Sequence, residues 1–76
     1  MKTDKEFQIF LKSLGEQIKK HRENAGLTQE NMADIIEYKY FQRIENGKRN
    51  ITLKTLLKIS QKLNIHPKDL FNFPEE

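Results

Sequence analysis

Residues 26–49 read GLTQENMADIIEYKYFQRIENGKR, and this stretch limits the possible folds more than any other part of the chain. It lays out one helix, a turn, and a second helix that stops at Glu-Asn-Gly. Thr28 is a hydroxyl cap in front of Gln29 and Glu30: its side chain can accept from free amides, and the Glu30 carboxylate faces the positive end of the helix. Asn46 and Gly47 are the residue types that tolerate a left-handed helix stop. Between these ends lie two short apolar faces, Met32 with Ile35 or Ile36, and Phe41 with Ile44. Their spacing suits two helices meeting at a sharp angle.

A chain of 76 residues with 36% hydrophobic content builds one small core, because a domain of this size buries only about 60% of its unfolded surface. One domain spanning 1–76 is therefore expected. Without cysteine there is neither a disulfide framework nor a thiolate metal site, and His21 and His66 lack the spacing of a zinc centre. No metal and no cofactor is expected, and no small-molecule ligand is evident. The segment MKTDKEF mixes charges, and no run approaches the roughly 20 apolar residues of a membrane span. The expectation is a soluble, cytoplasmic chain with no membrane partner.

The net charge of +3 is ordinary for a small domain, but its distribution is uneven. From Lys39 to Lys58 the cations Lys39, Arg43, Lys48, Arg49, Lys54 and Lys58 face the single acid Glu45, whereas the end of the chain carries Asp69, Glu75 and Glu76 and no base. A local cationic excess of this kind is a footprint for a polyanion.

Apolar periodicity predicts five helices. Phe7, Phe10, Leu11, Leu14 and Ile18 recur at three- and four-residue steps, giving an amphipathic helix over about 4–24 that Gly26 ends. A second helix is expected over about 28–35 and a third over about 37–45. Thr52 caps a fourth, with Leu53, Leu56, Leu57, Ile59 and Leu63 on its apolar side. The fifth is short and starts at His66-Pro67, with proline at a first helical position. No strand-like alternation, internal repeat or linker interrupts this all-α pattern, and a compact five-helix bundle follows.

From about Leu14 to Phe71 the chain resembles the Cro/C1-type helix-turn-helix proteins, also called the XRE family. The resemblance rests on Ile18 and Arg22, Gly26-Leu27-Thr28-Gln29-Glu30, Met32-Ala33, and the run from Arg43 to Asn50. Leu53, Leu56, Leu57, Ile59, Leu63 and Ile65 complete it. It implies a lambda-repressor-like DNA-binding domain with its helix-turn-helix proper at about 28–45. The implied function is sequence-specific binding of double-stranded DNA by a transcriptional regulator, as a homodimer on a palindromic operator. Phage repressors and the controller proteins of restriction-modification systems are among the small stand-alone members. The chain departs from the family pattern between Ala33 and Glu45, where it is two residues shorter and carries Ile35 or Ile36 in place of the turn glycine. A β-branched residue resists positive φ, so either the second helix ends early or the third is re-aimed.

On the third helix, Phe41 and Ile44 define the buried direction, and Lys39, Gln42 and Arg43 point away from it. Arg and Lys donate to guanine, and Gln pairs with adenine. Lys39, Gln42 and Arg43, with Tyr38 on one flank, are thus the expected base contacts. For phosphate, the resemblance implies Gln29 at the start of the second helix and Asn46, Lys48, Arg49 and Asn50 after the third. Thr28, which caps the second helix, and Tyr40, on the other flank of the third, join them. The resemblance also implies an ion pair between Arg22 and Glu45, which assigns this acid among cations to structure. Ile65, Leu70, Phe71 and Phe73 exceed what a small core can hide and are the expected dimer interface.

No nucleophile with a base and no phosphate-cradling loop points to an enzyme. The alternative is a helical protein-interaction module, adaptor or antitoxin-like, on the same fold. Such a module is expected to show apolar residues where Lys39, Gln42 and Arg43 stand.

Overall fold

The computed structural model describes residues 2–74. Its elements are α1 (Lys2–Asn24), a 3-10 turn (Glu30–Met32), α2 (Tyr38–Glu45), α3 (Leu53–Lys62) and a second 3-10 turn (Pro67–Phe71). The all-helical class is as expected, but the count of five helices is corrected to three α-helices and two 3-10 turns. No helix among the described residues is long and apolar enough to cross a membrane.

The second expected helix, 28–35, is the element that shrinks. Thr28 and Asn31 cap it reciprocally: Asn31 N–H donates to Thr28 Oγ1 at 3.2 Å, and Thr28 N–H donates to Asn31 Oδ1 at 2.8 Å. After one turn the amides of Ile35 and Ile36 both donate to the Met32 carbonyl, at 3.0 and 3.1 Å. With two residues fewer available, the chain reverses here at once instead of completing a longer helix. Met32 is fully buried and Ile36 nearly so, fixing both ends of the reversal in the core. Neither isoleucine takes a positive φ; among the described non-glycine residues only Asn64 does, at 56°. The Lys62–Asp34 ion pair, at 2.9 Å, ties this turn to α3.

All three α-helices end in one way. The amides of Leu27, Lys48 and Ile65 reach back to the carbonyls of Arg22, Arg43 and Ser60, and those of Gly26, Gly47 and Asn64 to the carbonyls of Glu23, Ile44 and Gln61. The residue at each stop has positive φ, so carbonyls in the last turn of each α-helix are satisfied by the residues that follow.

Leu14 and Ile18 of α1, Met32, Ile36, Phe41, Ile44, and Leu56, Ile59 and Leu63 around α3 form the core with Leu70. Two glycines let backbones meet in it. A Cβ on Gly15 would lie 2.5 Å from the carbonyl oxygens of Ile44 and Glu45, and one on Gly47 would lie 2.6 Å from Lys12 Cα. Thus α1 packs directly on the end of α2. Its first half is less covered: Phe7 and Phe10 are exposed, and the Phe10 ring meets Phe73 edge-on at 5.1 Å and Phe71 at 6.0 Å.

Candidate nucleic-acid interface

Helix α2 starts on Glu37, whose carboxylate accepts from the amides of Lys39 and Tyr40, both at 2.9 Å. These two hydrogen bonds hold the Glu37 carboxyl below its ordinary value of 4.5. A depressed folded-state value means that the cap stabilises α2 fully above that ordinary value and loses its effect as pH falls through the lowered one. Amide exchange at Lys39 and Tyr40 should therefore speed up, over and above its intrinsic pH dependence, as the pH falls below the ordinary value of 4.5 and through the lowered one. Glu37→Gln should remove this acid-dependent step, and an identical acid response in both proteins would refute the cap.

Along α2, Phe41 and Ile44 are buried, while Lys39 and Arg43 are exposed. Gln42 is half-buried because it leans toward the first 3-10 turn, where its Nε2 donates to Gln29 Oε1 at 3.2 Å and to Tyr38 Oη at 2.9 Å. Tyr38 Oη in turn donates to Glu30 Oε1 at 3.2 Å. Partial loss of water and the Glu30 carboxylate raise the Tyr38 phenol above its ordinary value, so it keeps its proton.

Beneath this surface Arg22 and Glu45 meet as a two-pronged ion pair. Arg22 Nε donates to Glu45 Oε2 at 2.7 Å and Nη2 to Oε1 at 3.2 Å, while Nη1 caps the Leu27 carbonyl at 2.7 Å. The hydrogen bonds to Glu45 raise the Arg22 value against the opposing effect of burial. Gln29 Nε2 adds a further bond to Glu45 Oε1 at 2.9 Å. The pair therefore joins α1 to the end of α2 and also fixes the residue that touches Gln42.

Beyond α2, Lys48, Arg49 and Asn50 are exposed on the loop. Tyr40 anchors that loop: its hydroxyl donates to the Asn50 carbonyl at 3.2 Å, and the Arg49 guanidinium stands over its ring at 5.2 Å. A cleft of about 790 Å³ separates Asn46, Lys48 and Asn50 from Gln8 and Lys12 of α1. Gln29 and Glu30 run alongside α2, Glu30 bonded to Tyr38 at its start and Gln29 to Gln42 and to Glu45 at its end.

Of the expected interface residues, Phe71 is exposed and Ile65 and Phe73 are half-buried, but Leu70 is fully buried and offers no surface. The exposed apolar surface extends instead to Phe7 and Phe10 of α1 and to Leu53 and Leu57 of α3. Sequence reasoning missed the Glu37 cap, since carboxylates shorter by one methylene are the usual caps. It also missed Asn31 opposite Thr28, although an Asn three residues after a hydroxyl was visible.

A buried ion pair beneath an outward cationic helix, reached through a turn, is the arrangement of a helix-turn-helix protein of the Cro/C1 type, here with the turn shortened. The chain belongs to that family: residues 18–70 match the family model described as Helix-turn-helix. The family is one of DNA-binding transcriptional regulators and not of enzymes, and its partner is double-stranded DNA. The chain is similar to the control protein C.MunI of Mycoplasma sp, with 44% identity over 61 residues covering 76% of this chain and 82% of that protein. It is also similar to the restriction-modification controller protein C.AhdI of Aeromonas hydrophila, whose crystal structure matches with a TM-score of 0.77 at 33% identity, covering 80% of this chain and 96% of that one.

Proposed function

We propose that the chain is a controller of transcription that binds a palindromic operator as a symmetric dimer and that it serves a restriction-modification system, the role named for C.AhdI. The observation that carries this reading is the exposed pair Lys39 and Arg43 beside a held Gln42 on a helix whose opposite face is core. Tyr38, Lys39, Gln42 and Arg43 face base edges. Thr28, Gln29, Tyr40, Asn46, Lys48, Arg49 and Asn50 serve the phosphates, Tyr40 chiefly by holding the Arg49–Asn50 loop and Gln29 by its backbone N–H, since its side-chain nitrogen is turned to Glu45. Each short helix reads only a few base pairs, and selectivity within a genome needs two copies. Recognition helices about 34 Å apart would meet successive major grooves. Exposed Phe7, Phe10, Leu53, Leu57 and Phe71 supply apolar surface for such an association.

The test is a salt titration of binding to a palindromic duplex, followed by sedimentation. Affinity should fall with a log–log slope of about 0.9 per neutralised phosphate, and Lys48→Ala should flatten the slope by about one. Sedimentation should show two chains per duplex. Affinity indifferent to salt overturns DNA binding, and one chain per palindrome at saturation overturns the dimer.

A further inference from the structure

The hydrogen bonds around Gln42 run in one direction only, and the direction is imposed from both ends. At the inner end the Glu45 carboxylate, ionised beside Arg22, can only accept. Gln29 must therefore turn its amide nitrogen to Glu45 and its carbonyl oxygen outward. At the outer end Tyr38 gives its single proton to the Glu30 carboxylate, which leaves the phenol oxygen as an acceptor. Gln42 thus stands between two acceptors, Gln29 Oε1 and Tyr38 Oη, and both of its amide hydrogens are spent on them. Turned over, its carbonyl would face Gln29 Oε1 with no hydrogen between them, and would be met by Tyr38 only if the phenol gave up Glu30.

What Gln42 has left for a ligand is its carbonyl oxygen. A glutamine free at both ends pairs with adenine by donating to N7 and accepting from N6. Gln42 lacks the first half of that pair. On the reading that α2 enters the major groove, we propose that Gln42 acts as an acceptor only. It selects a base presenting an exocyclic amino group in the major groove, adenine N6 or cytosine N4, against guanine and thymine, whose O6 and O4 would face its carbonyl oxygen. Tyr38 and Gln29 are the positioning residues that impose this choice, and Glu30 and Glu45 set the direction behind them. The side chain therefore distinguishes amino from keto groups, and not one base from three.

The experiment is a binding selection from randomised duplexes with the wild-type chain, Gln42→Ala and Tyr38→Phe. The position whose preference disappears in Gln42→Ala is the one Gln42 faces. In the wild type it should hold adenine and cytosine at comparable frequency, with guanine and thymine depleted. Tyr38→Phe removes an acceptor from an exposed site and frees one amide hydrogen for adenine N7. The preference should then narrow to adenine over cytosine by roughly tenfold, with an unchanged melting temperature. Guanine or thymine enriched at that position, a preference that Tyr38→Phe leaves as it was, or no position responding to Gln42→Ala overturns the proposal. A wild-type selection with no enrichment at any position overturns the groove-reading assignment beneath it, which is a different result.

Discussion

Glu45→Ala should lower the melting temperature far more than Arg43→Ala, although the two residues are neighbours on one turn of α2. Arg22 and Glu45 are 7% and 5% exposed, so removal of the carboxylate leaves a guanidinium in the interior with only the Leu27 carbonyl as partner. Gln29 loses its acceptor in the same step. Breaking a buried pair from one side costs about 3–5 kcal/mol. For a domain of this size each kcal/mol moves the transition by roughly 4–8 °C, so a drop well beyond ten degrees is expected by circular dichroism. Arg43 is exposed and makes no comparable contact, and its loss should leave the transition nearly in place. Replacing both partners, Arg22→Met with Glu45→Leu, should recover much of the stability, because no charge is then left unpaired. Equal shifts from Glu45→Ala and Arg43→Ala would mean that α2 is rotated from the orientation described.

Gly15→Ala gives the second large effect, and its sign is the informative part. At an open helical site the change would stabilise the chain by about 0.8–1 kcal/mol. Here the new methyl would lie 2.5 Å from two backbone carbonyl oxygens of α2, which cannot rotate away as a side chain would. Overpacking of this kind typically costs about 1–3 kcal/mol, so urea unfolding should show a net loss. Pushing α1 away from α2 would also stretch the Arg22–Glu45 pair, which adds to the loss. A gain in stability from Gly15→Ala would contradict the close approach of the two helices.

The architecture was largely legible because its signals are local. Gly26 and Pro67 by their backbones, and Thr52 by its hydroxyl, mark element ends, and the periodicity of Leu14, Ile18, Phe41, Ile44, Leu56 and Ile59 named core residues that are all buried. Arg22 with Glu45 was legible only through family resemblance, since nothing in a sequence separation of 23 residues signals contact. Gly15 carried no signal, for a glycine inside a helical pattern reads as a weak position until the neighbouring backbone is known. Leu70 was misjudged because a count of apolar residues cannot tell which one fills the gap between α1 and α3. Phe7 and Phe10 show the reverse: their helical spacing matches that of Leu14 and Ile18, yet they lie beyond the reach of α2 and stay exposed. Gln42 was expected to point outward and is instead half-buried, because the pull of Gln29 and Tyr38 on its amide depends on residues from three separate segments.

The early reversal at Met32–Ile36 bears on how far parts can be exchanged between this chain and its relatives. A recognition helix spliced in at Tyr38 from a protein with the longer turn would bring its own spacing. Each residue of misregister along α2 turns the presented face by about 100°, so the grafted surface would be re-aimed even if every side chain were correct. Ile36 would lose its seat under α2, and the amides now closed on the Met32 carbonyl would need new acceptors. The smallest transplantable unit is therefore the whole run from Thr28 to Glu45, turn included, with Arg22 kept in the recipient to receive it.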